Sequence, residues 1–327
     1  MHGCYMNSAK TRTDRINRRQ DVDRYGAEYI PGIMAVRGEA PSMSRASTLF
    51  WKKIHRDIHV LASSERNFAL LAMYNPDTFD IHEQKLLSPQ SRPHPMFNHP
   101  VHGGKLLPNL LGTIEAYDQL GVLKLIPKFA TEVNGERQVI PTAQTGDLLI
   151  FVKPENVDAF CVNWSVKLSA DDFSERNRGK LKTNKQKHAD QRKSDARHES
   201  EKVYYSHAGI RTLQLASDWL DPNVFSNLSM LFSWHGRPVS LDCNLQSDLI
   251  DALRQGLFSG ATALEIISRF VPYAPKQRHQ LICVYHQAIW GRLLAVDLFS
   301  PILIDRPMRR ETKCVLEHYS DFFKGIV

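Results

Sequence analysis

Glu65 occupies an unusual position for a carboxylate. Residues 63–74 have the spacing of a helix, and Phe68 and Ala72 follow Glu65 by three and seven residues. Glu65 therefore shares the apolar side of this predicted helix, near its positive N-terminal end. A carboxylate turned towards a protein core is unfavourable unless it is paired or bound to a metal ion.

Glu201 repeats this arrangement on a second predicted helix, where Tyr204 and Ala208 follow it by three and seven residues. Taken singly, an acid in such a position is more often part of a buried ion pair or a residue at the boundary of the core. The repetition is what points towards shared chemistry.

Asp147 and Lys167 belong to two predicted strands. Asp147 follows a glycine and opens the apolar run of the strand at 145–152, and Lys167 lies on the polar side of the alternating strand at 160–168. Side chains placed in this way can converge, and converging carboxylates can hold Mg²⁺. Such a metal site would activate water and stabilise the leaving oxygen of a phosphodiester, with Lys167 orienting or deprotonating the water or neutralising the phosphate. The alternative for this pair alone is a surface salt bridge.

The elements that must position these residues alternate between strands and helices, which predicts an α/β fold. The helix that carries Glu201 spans about 198–208 and leads into a further strand near 210–217. A long loop at 88–112 carries His94, His99 and His102, which favours a polar loop over a metal site.

The pattern changes after residue 235. Three helices are predicted, at about 247–258, 262–271 and 275–290, and the second begins with the capping-box spacing of Thr262 and Glu265. An extended, β-prone stretch at 293–304 follows them. Three short helices and a hairpin-like tail are the outline of a winged-helix module.

Composition limits the possible classes. The 327-residue chain is 42% hydrophobic and carries a net charge of +7, which excludes wholesale disorder and permits a polyanionic partner. The five cysteines are widely spaced, which argues against a disulfide scaffold or a structural zinc site and favours the cytoplasm. No secretory signal or membrane span is expected. Residues 1–22 are predicted to be a basic flexible tail.

Several motifs, in the same order along the chain, resemble the TnsA endonucleases of heteromeric cut-and-paste transposons. The family's G-x-[DE]-Y-I-P signature is approached at 25–31, its D-I-R-E-Q segment at 79–84 with His82 in place of Arg, and its HPV motif at 98–101. Its first carboxylate matches Glu65, and its catalytic Asp and Lys match Asp147 and Lys167. Its E-x-E-x-x-Y-aromatic helix matches residues 199–205.

This resemblance implies a restriction-endonuclease-like core sheet flanked by helices at 23–234, followed by the winged-helix-like domain at 235–327. It implies a Mg²⁺-dependent endonuclease, with Mn²⁺ as a substitute, that cuts the 5′ ends of a transposon. The implied partners are transposon-end DNA, the TnsB transposase and the TnsC ATPase. A bacterial cytoplasmic location, associated with the nucleoid when assembled, follows from the same resemblance.

The resemblance assigns the site residue by residue. Glu65, Asp147, Lys167 and Glu201 are the predicted catalytic set, and the metal would be held by the three acids and the Val166 carbonyl. Ser165 departs from the family, which has an amide or a carboxylate two residues before the lysine. The basic run at 174–198 is interpreted as an insertion beside the site, with DNA-phosphate contacts predicted for Lys180, Lys182, Lys185, Lys187, Arg192 and Lys193.

Two other functions remain open at this stage. The chain could be a catalytically weak adaptor that keeps the nuclease fold as a docking platform, with Ser165 marking lost metal affinity. It could also be a free-standing restriction or repair nuclease of the same fold, which would cleave DNA without partners. For the basic run itself, a solvated loop is the alternative to a DNA contact.

Overall fold

A computed structural model describes residues 9–41, 44–101, 104, 106–173 and 183–325. The protein is mixed α/β, as expected, and divides into two compact units. The first comprises the chain up to residue 69, residues 77–219 and the residues from 323 onward. The second comprises residues 70–76 and 220–322, so the boundary lies at 219/220 and not at the expected 234/235.

The first unit contains all of the described strands. Its helices are α1 (Ala9–Arg19), α2 (Ser63–Tyr74, whose last residues count with the second unit), α3 (Thr113–Gln119) and α4 (Asn184–Ser206). Its strands are β1 (Ser47–Trp51), β2 (Arg56–Val60), β3 (Thr78–Glu83), β4 (Leu86–Leu87), β5 (Lys128–Val133), β6 (Glu136–Pro141), β7 (Gln144–Thr145), β8 (Leu148–Val152), β9 (Phe160–Lys167) and β10 (Arg211–Ala216).

A four-stranded mixed sheet in the order β10-β9-β8-β3 forms the centre of this unit. Strands β3, β8 and β9 are antiparallel neighbours, and β10 runs parallel to β9. Parallel neighbours require a long crossover, and α4 lies in the connection between them. Both faces of β8 are buried, so its sequence is continuously apolar and does not alternate.

The two faces of the sheet pack against different helices. Trp164 of β9 meets Phe68 of α2 edge-on, with ring centroids 6.0 Å apart. On the opposite face, Leu149 and Phe151 of β8 share a buried core with Tyr204 of α4. Because α2 and α4 cover opposite faces, each can deliver one side chain to the same end of the sheet.

The predicted flexible tail is wrong for the residues that the structure describes. Residues 9–19 form α1, whose Ile16 is fully buried. The next residue after the helix, Gln20, is also buried; its Oε1 accepts a 2.7 Å hydrogen bond from the N–H of Leu86, and its Nε2 donates one of 3.0 Å to Tyr29. This segment is anchored mainly by polar side chains, so it lacks the apolar periodicity that predicts a buried helix.

The basic run at 174–198 is not a separate insertion over its described part. Residues 184–198 form the first half of α4, the same continuous helix that carries Glu201. Thr183 caps this helix through a reciprocal capping box with Gln186. Residues 174–182, with Lys180 and Lys182, lie outside the described residues.

The second unit is built of helices in its described residues. They are α5 (Pro222–His235), α6 (Cys243–Ser259), α7 (Ala263–Phe270), α8 (Arg278–Trp290) and α9 (Val315–His318). The capping box of Thr262 and Glu265 at the start of α7 is confirmed. Asp221 accepts hydrogen bonds from the N–H groups of Asn223 and Val224, which caps α5.

The predicted hairpin-like tail is reduced, in the described part of this unit, to an isolated antiparallel bridge between Val296 and Arg310. Backbone hydrogen bonds of 2.9 Å from Asp297 to Arg309 and from Glu311 to Ala295 flank this bridge. A side chain of α5 binds the segment that follows Asp297. Asn227 donates hydrogen bonds of 2.9 and 2.8 Å to the carbonyls of Leu298 and Ser300 and accepts one of 3.2 Å from the N–H of Ile302. An amide side chain thus takes the backbone groups that a partner strand would need.

In the described part of the chain, no helix is both long enough and apolar enough to cross a membrane. The described cysteines, Cys161, Cys243, Cys283 and Cys314, form no disulfide bond with one another.

Candidate active site

Asp147 lies at the end of the central sheet, immediately before β8. The register pairs Leu148 with Trp164, so Asp147 continues the ladder opposite Ser165. Its carboxylate turns back onto the neighbouring strand, where Oδ2 accepts a 2.7 Å hydrogen bond from the N–H of Val166. The backbone of β9 therefore fixes the orientation of the Asp147 carboxylate without the help of a ligand.

Lys167 is the last residue of β9 and approaches the same carboxylate. Its Nζ lies 3.6 Å from Oδ2 of Asp147 and donates a 3.2 Å hydrogen bond to the carbonyl of Val166. The Lys167 side chain keeps 30% of its surface exposed and that of Asp147 keeps 16%. The pair is thus open to a ligand from solvent.

Glu65 reaches the site from the first turn of α2 and is buried. Its Oε2 accepts a 2.8 Å hydrogen bond from the N–H of Leu61 and a longer one, 3.4 Å, from Nε2 of Gln84. Burial, and after it the negative charge of Asp147, raise the pKa of Glu65 to about 8, against the opposing effects of these hydrogen bonds and of the charge of Lys167. The two carboxylates are therefore close enough to compete for ionisation.

Glu201 approaches from α4, on the opposite face of the sheet, and is also buried. Its Oε1 accepts a 2.9 Å hydrogen bond from Nδ2 of Asn163 on β9. Burial and then the charge of Asp147 raise the pKa of Glu201. The two helices thus deliver one acid each to the Asp147 end of the sheet, and the four residues selected from the sequence belong to one electrostatic cluster.

Gly146 makes room for this cluster. A Cβ atom at this position would lie 3.3 Å from Oε1 of Glu201, 3.4 Å from Oδ1 of Asn163 and 3.6 Å from the hydroxyl of Tyr205. Within the described chain, the Oδ1 of Asn163 and the hydroxyl of Tyr205 are buried without hydrogen-bond partners. Larger residues at position 146 would press on the acid that α4 contributes.

Gln84 is the residue that the sequence reasoning missed. It is buried and has a left-handed backbone with φ of 49°, which separates β3 from β4. Its N–H donates a 3.0 Å hydrogen bond to the carbonyl of Asp147, and its side chain contacts Glu65 and accepts 3.1 Å from the hydroxyl of Thr145. Gln84 thereby links two of the acids. The D-I-H-E-Q segment, which ends at Gln84, could have indicated this role, but it was used only as a motif that carries the resemblance.

The three other motif blocks of the resemblance meet in a separate buried network. Asp80 accepts hydrogen bonds of 2.7 Å from the N–H of Gly26, 3.2 Å from His82 and 3.3 Å from His99. Tyr29 stacks on His82, with centroids 3.8 Å apart. Segments 25–31, 79–84 and 98–101 are thus joined in one place, and His99 serves as a donor to Asp80. His102 lies outside the described residues.

The donor set suits Mg²⁺ in its chemistry. It consists of oxygen atoms. The pKa values of Glu65 and Glu201 are raised first by burial and then by the negative charge of Asp147, and a nearby cation would favour the ionised form of both acids. The ammonium of Lys167 already lies within 3.6 Å of Asp147 and 3.2 Å of the Val166 carbonyl, so these oxygens accommodate a positive charge. Ser165, a weaker donor, is buried beside them.

Coordination would have to rely on few protein ligands. Among the described residues, no three His, Cys, Asp or Glu side chains lie close enough together to enclose a metal ion. Mg²⁺ commonly binds proteins through one or two carboxylates and retains several waters. The arrangement around Asp147 is compatible with that kind of site and not with a closed cage.

The described members of the predicted DNA contact set lie on the first half of α4. Lys185, Lys187, Arg192 and Lys193 are all exposed. Lys187 precedes Glu201 by 14 residues, close to four helical turns, so it lies on the same side of α4 about 21 Å along the axis. Lys187 is therefore positioned towards the site by a helix instead of a loop, whereas Lys185 and Arg192 lie on the other side of α4.

Comparison with known proteins gives no relative: no protein-family model matches the chain, and no curated protein sequence matches it.

Proposed function

We propose that this protein is a metal-dependent DNA endonuclease of the TnsA type, the subunit that cuts the 5′ ends of a transposon. The observation that carries the proposal is the carboxylate of Asp147, held by the Val166 N–H at 2.7 Å and approached by Lys167 at 3.6 Å. Two buried glutamates from different helices have pKa values raised by burial and, in second place, by the charge of this carboxylate. Clusters of strongly perturbed acids at an open edge are typical of catalytic sites.

The position of the cluster supports nuclease chemistry. Asp147 and Lys167 lie on adjacent antiparallel strands at one end of a mixed sheet, where the Lys167 side chain keeps 30% exposure. A phosphodiester can approach such an edge, whereas a fully buried ion pair would exclude it. The exposed basic residues on α4 provide the positive surface that a DNA backbone requires.

Asp147, Glu65 and the Val166 carbonyl would hold Mg²⁺ or Mn²⁺ together with several retained waters, and Glu201 would act on the site through its charge. When bound, the metal would lower the pKa of a coordinated water and stabilise the charge of the leaving oxygen.

The chain's own residues have separable parts in the reaction. The Val166 N–H keeps the carboxylate of Asp147 in place, and Gln84 positions Asp147 and Glu65 relative to each other. Lys167 carries a positive charge that moves between Asp147 and an incoming phosphate oxygen, which stabilises charge in the transition state. Glu65 holds a proton near neutral pH in the isolated protein and must release it for its carboxylate to bind a cation.

The identity of the DNA substrate comes from the resemblance to TnsA. On this proposal the protein acts with a TnsB transposase and a TnsC ATPase, and TnsB supplies most of the sequence recognition because phosphate contacts position a protein without specifying a site. The second unit is then the part that contacts the partners. The packing of segments 25–31, 79–84 and 98–101 in one network supports a common origin for the motifs that carry the resemblance.

The test is nicking of end-containing DNA in the presence of TnsB and Mg²⁺ or Mn²⁺. We expect Asp147→Ala and Lys167→Ala each to reduce the rate by at least about 10²-fold, as for the loss of a group that stabilises transition-state charge. Glu199→Ala is the matched control, because Glu199 is an exposed acid on α4 that pairs with Lys202 at 2.7 Å. Undiminished nicking by the first two variants would end the active-site assignment.

One observation favours the adaptor as a second candidate. The described residues contain no group of three side chains ready to enclose a metal, and Ser165 replaces a stronger ligand. Calorimetric titration with Mn²⁺ separates the two functions. Binding that disappears in Asp147→Ala supports the nuclease, whereas the absence of binding to the parent protein supports the adaptor.

A further inference from the structure

Arg197 borders the candidate active site without belonging to the acid cluster. It precedes Glu201 by four residues on α4, so the two side chains leave the same side of the helix about 6 Å apart along the axis. Its Nη2 donates a 3.3 Å hydrogen bond to the carbonyl of Thr145, two residues before Asp147. Its Nε is buried and has no hydrogen-bond partner in the described part of the chain.

Arg12 reaches the same place from α1. The next residue, Thr13, accepts a 3.1 Å hydrogen bond from the N–H of Ala143, which fixes this turn of α1 beside the segment that enters β7. The pKa of Arg12 is lowered, first by burial of part of the side chain and then by the positive charges of Arg197 and Arg15. The guanidinium groups are therefore near enough to repel one another.

Arg12 and Arg197 differ from their basic neighbours in forming no direct ion pair. Arg19 binds Glu39 through two hydrogen bonds of 2.7 and 2.8 Å, and Arg15 lies 3.8 Å from the same carboxylate. In the described chain, no carboxylate forms a salt bridge with Arg12 or Arg197, although the charge of Arg197 acts to lower the pKa of Glu201. Two neighbouring cations with this little compensation raise the free energy of the folded protein, and a bound anion would lower it.

The row of residues on α4 indicates the kind of anion. Lys193, Arg197 and Glu201 follow one another at intervals of four residues, so a line of cations leads along the helix to the acid cluster. Guanidinium forks bind phosphate oxygens through paired hydrogen bonds. A line of such groups fits a chain of phosphates better than a single free ion.

We propose that Arg12 and Arg197 form a phosphate subsite that binds the DNA phosphate next to the one placed over Asp147 and Lys167. The identity of the anion rests on the proposed function. The subsite sets the register of the strand relative to the acid cluster, so that one phosphodiester is presented to it. The subsite also gives α1 a function beyond the anchoring that its buried Thr13 and Ile16 provide.

Fluorescence anisotropy with a fluorescein-labelled DNA duplex tests this subsite on the full chain, with Ca²⁺ in place of Mg²⁺ so that the DNA stays intact. We expect Arg12→Gln and Arg197→Gln each to weaken binding roughly five- to tenfold, equivalent to one charge-assisted hydrogen bond. The slope of log affinity against log salt should fall by about 0.9 for each lost phosphate contact. Arg15→Gln is the matched control, since Arg15 is next to Glu39, and should keep the parent slope.

A methylphosphonate in the labelled strand identifies the phosphate. Scanned along the strand, one neutral linkage should weaken binding by the parent protein and have no further effect on the Arg12→Gln/Arg197→Gln double variant. The subsite would be refuted if both single variants fold and melt like the parent and keep the parent's slope of log affinity against log salt. If Arg197→Gln does not fold, Arg12→Gln decides alone, because Arg12 is exposed.

This result is separable from the nicking assay. Undiminished nicking by Asp147→Ala would remove the proposed function but leave a reduced salt slope as evidence for the subsite. Conversely, if Asp147→Ala abolishes nicking while both arginine variants keep the parent's salt slope, the proposed function stands and the subsite is refuted.

Discussion

The ammonium nitrogen of Lys167 lies 3.6 Å from Oδ2 of Asp147, between the last residue of β9 and the residue that precedes β8. The same oxygen accepts the N–H of Val166 at 2.7 Å, so backbone and side chain converge on it. This pair is the fixed point of the site, and the two buried glutamates are arranged around it. The predictions below follow from the energetic consequences of that arrangement.

Glu65 should make the metal-free protein less stable as the pH rises. Its pKa is about 8 in the folded protein and close to 4.5 when unfolded. Between these values the folded state holds a proton that the unfolded state has lost, so stability falls across this window and levels off above pH 8. Each pKa unit corresponds to about 1.4 kcal/mol.

Urea unfolding of Glu65→Gln at pH 5, 7 and 9 measures this effect. We expect the variant to gain stability over the parent as the pH increases, by a few kcal/mol at pH 9 in the absence of divalent ions. Glu199→Gln, an exposed acid on α4, should follow the parent curve. A constant difference between Glu65→Gln and the parent at all three pH values would contradict the raised pKa.

Metal binding should release protons near neutral pH. Glu65 is largely protonated at pH 7 and must ionise before its carboxylate can bind Mg²⁺. We expect calorimetry in two buffers of different ionisation enthalpy to report proton release at pH 7 and less release at pH 9. Glu65→Gln should lose most of the buffer dependence while Asp147→Ala loses binding itself. Equal heats in both buffers for the parent at pH 7 would exclude this linkage.

At position 84 glycine should give a more stable protein than alanine, which is the reverse of the usual order. Its φ of 49° is unfavourable for residues with a Cβ, by about 1–2 kcal/mol. Both substitutions remove the side-chain contacts of Gln84 with Glu65 and the Thr145 hydroxyl, but Gln84→Ala keeps the backbone strain whereas Gln84→Gly relieves it. We expect Gln84→Gly to unfold at a higher urea concentration than Gln84→Ala, with both below the parent. The usual order, alanine above glycine, would show that the backbone strain is not important here.

Tyr204 and Tyr205 should respond in opposite directions to the loss of a hydroxyl. The hydroxyl of Tyr204 accepts a 3.2 Å hydrogen bond from the N–H of Ser88, whereas that of Tyr205 is buried with no partner in the described structure. Tyr204→Phe should lower the free energy of unfolding by about 1 kcal/mol, and Tyr205→Phe should leave it equal or higher. Thermal melting of the two variants checks this, and a larger loss for Tyr205→Phe would contradict it.

The sequence was informative wherever a local pattern determined the structure. The helix at 63–74 and the capping box at Thr262 and Glu265 were predicted and are present, because apolar periodicity and capping act within one or two turns. The strands β8 and β9 were also predicted, with ends close to those observed. The hairpins β1–β2 and β5–β6 were not predicted.

The errors in the fold have a common physical cause. Helix α1 and the segment at 298–302 are held by the side chains of Gln20 and Asn227, which bind backbone groups distant in the sequence. Such bonds have no periodicity, so neither the buried helix nor the irregular backbone at 298–302 could be inferred from local pattern. The basic run was likewise separated from Glu201 in the sequence reading although one helix contains both.

The sequence by itself determined which residue types could form the site: acids on the apolar sides of two helices, an acid before a strand and a lysine at the end of the next. Tertiary structure alone decided that Asp147 faces Val166 and Lys167, that α2 and α4 cover opposite faces, and that Gln84 joins the acids. Helical spacing and strand alternation are local properties of the chain. Strand register, burial and the resulting pKa shifts depend on contacts between different segments, such as that of Glu65 with Asp147, which only the folded chain defines.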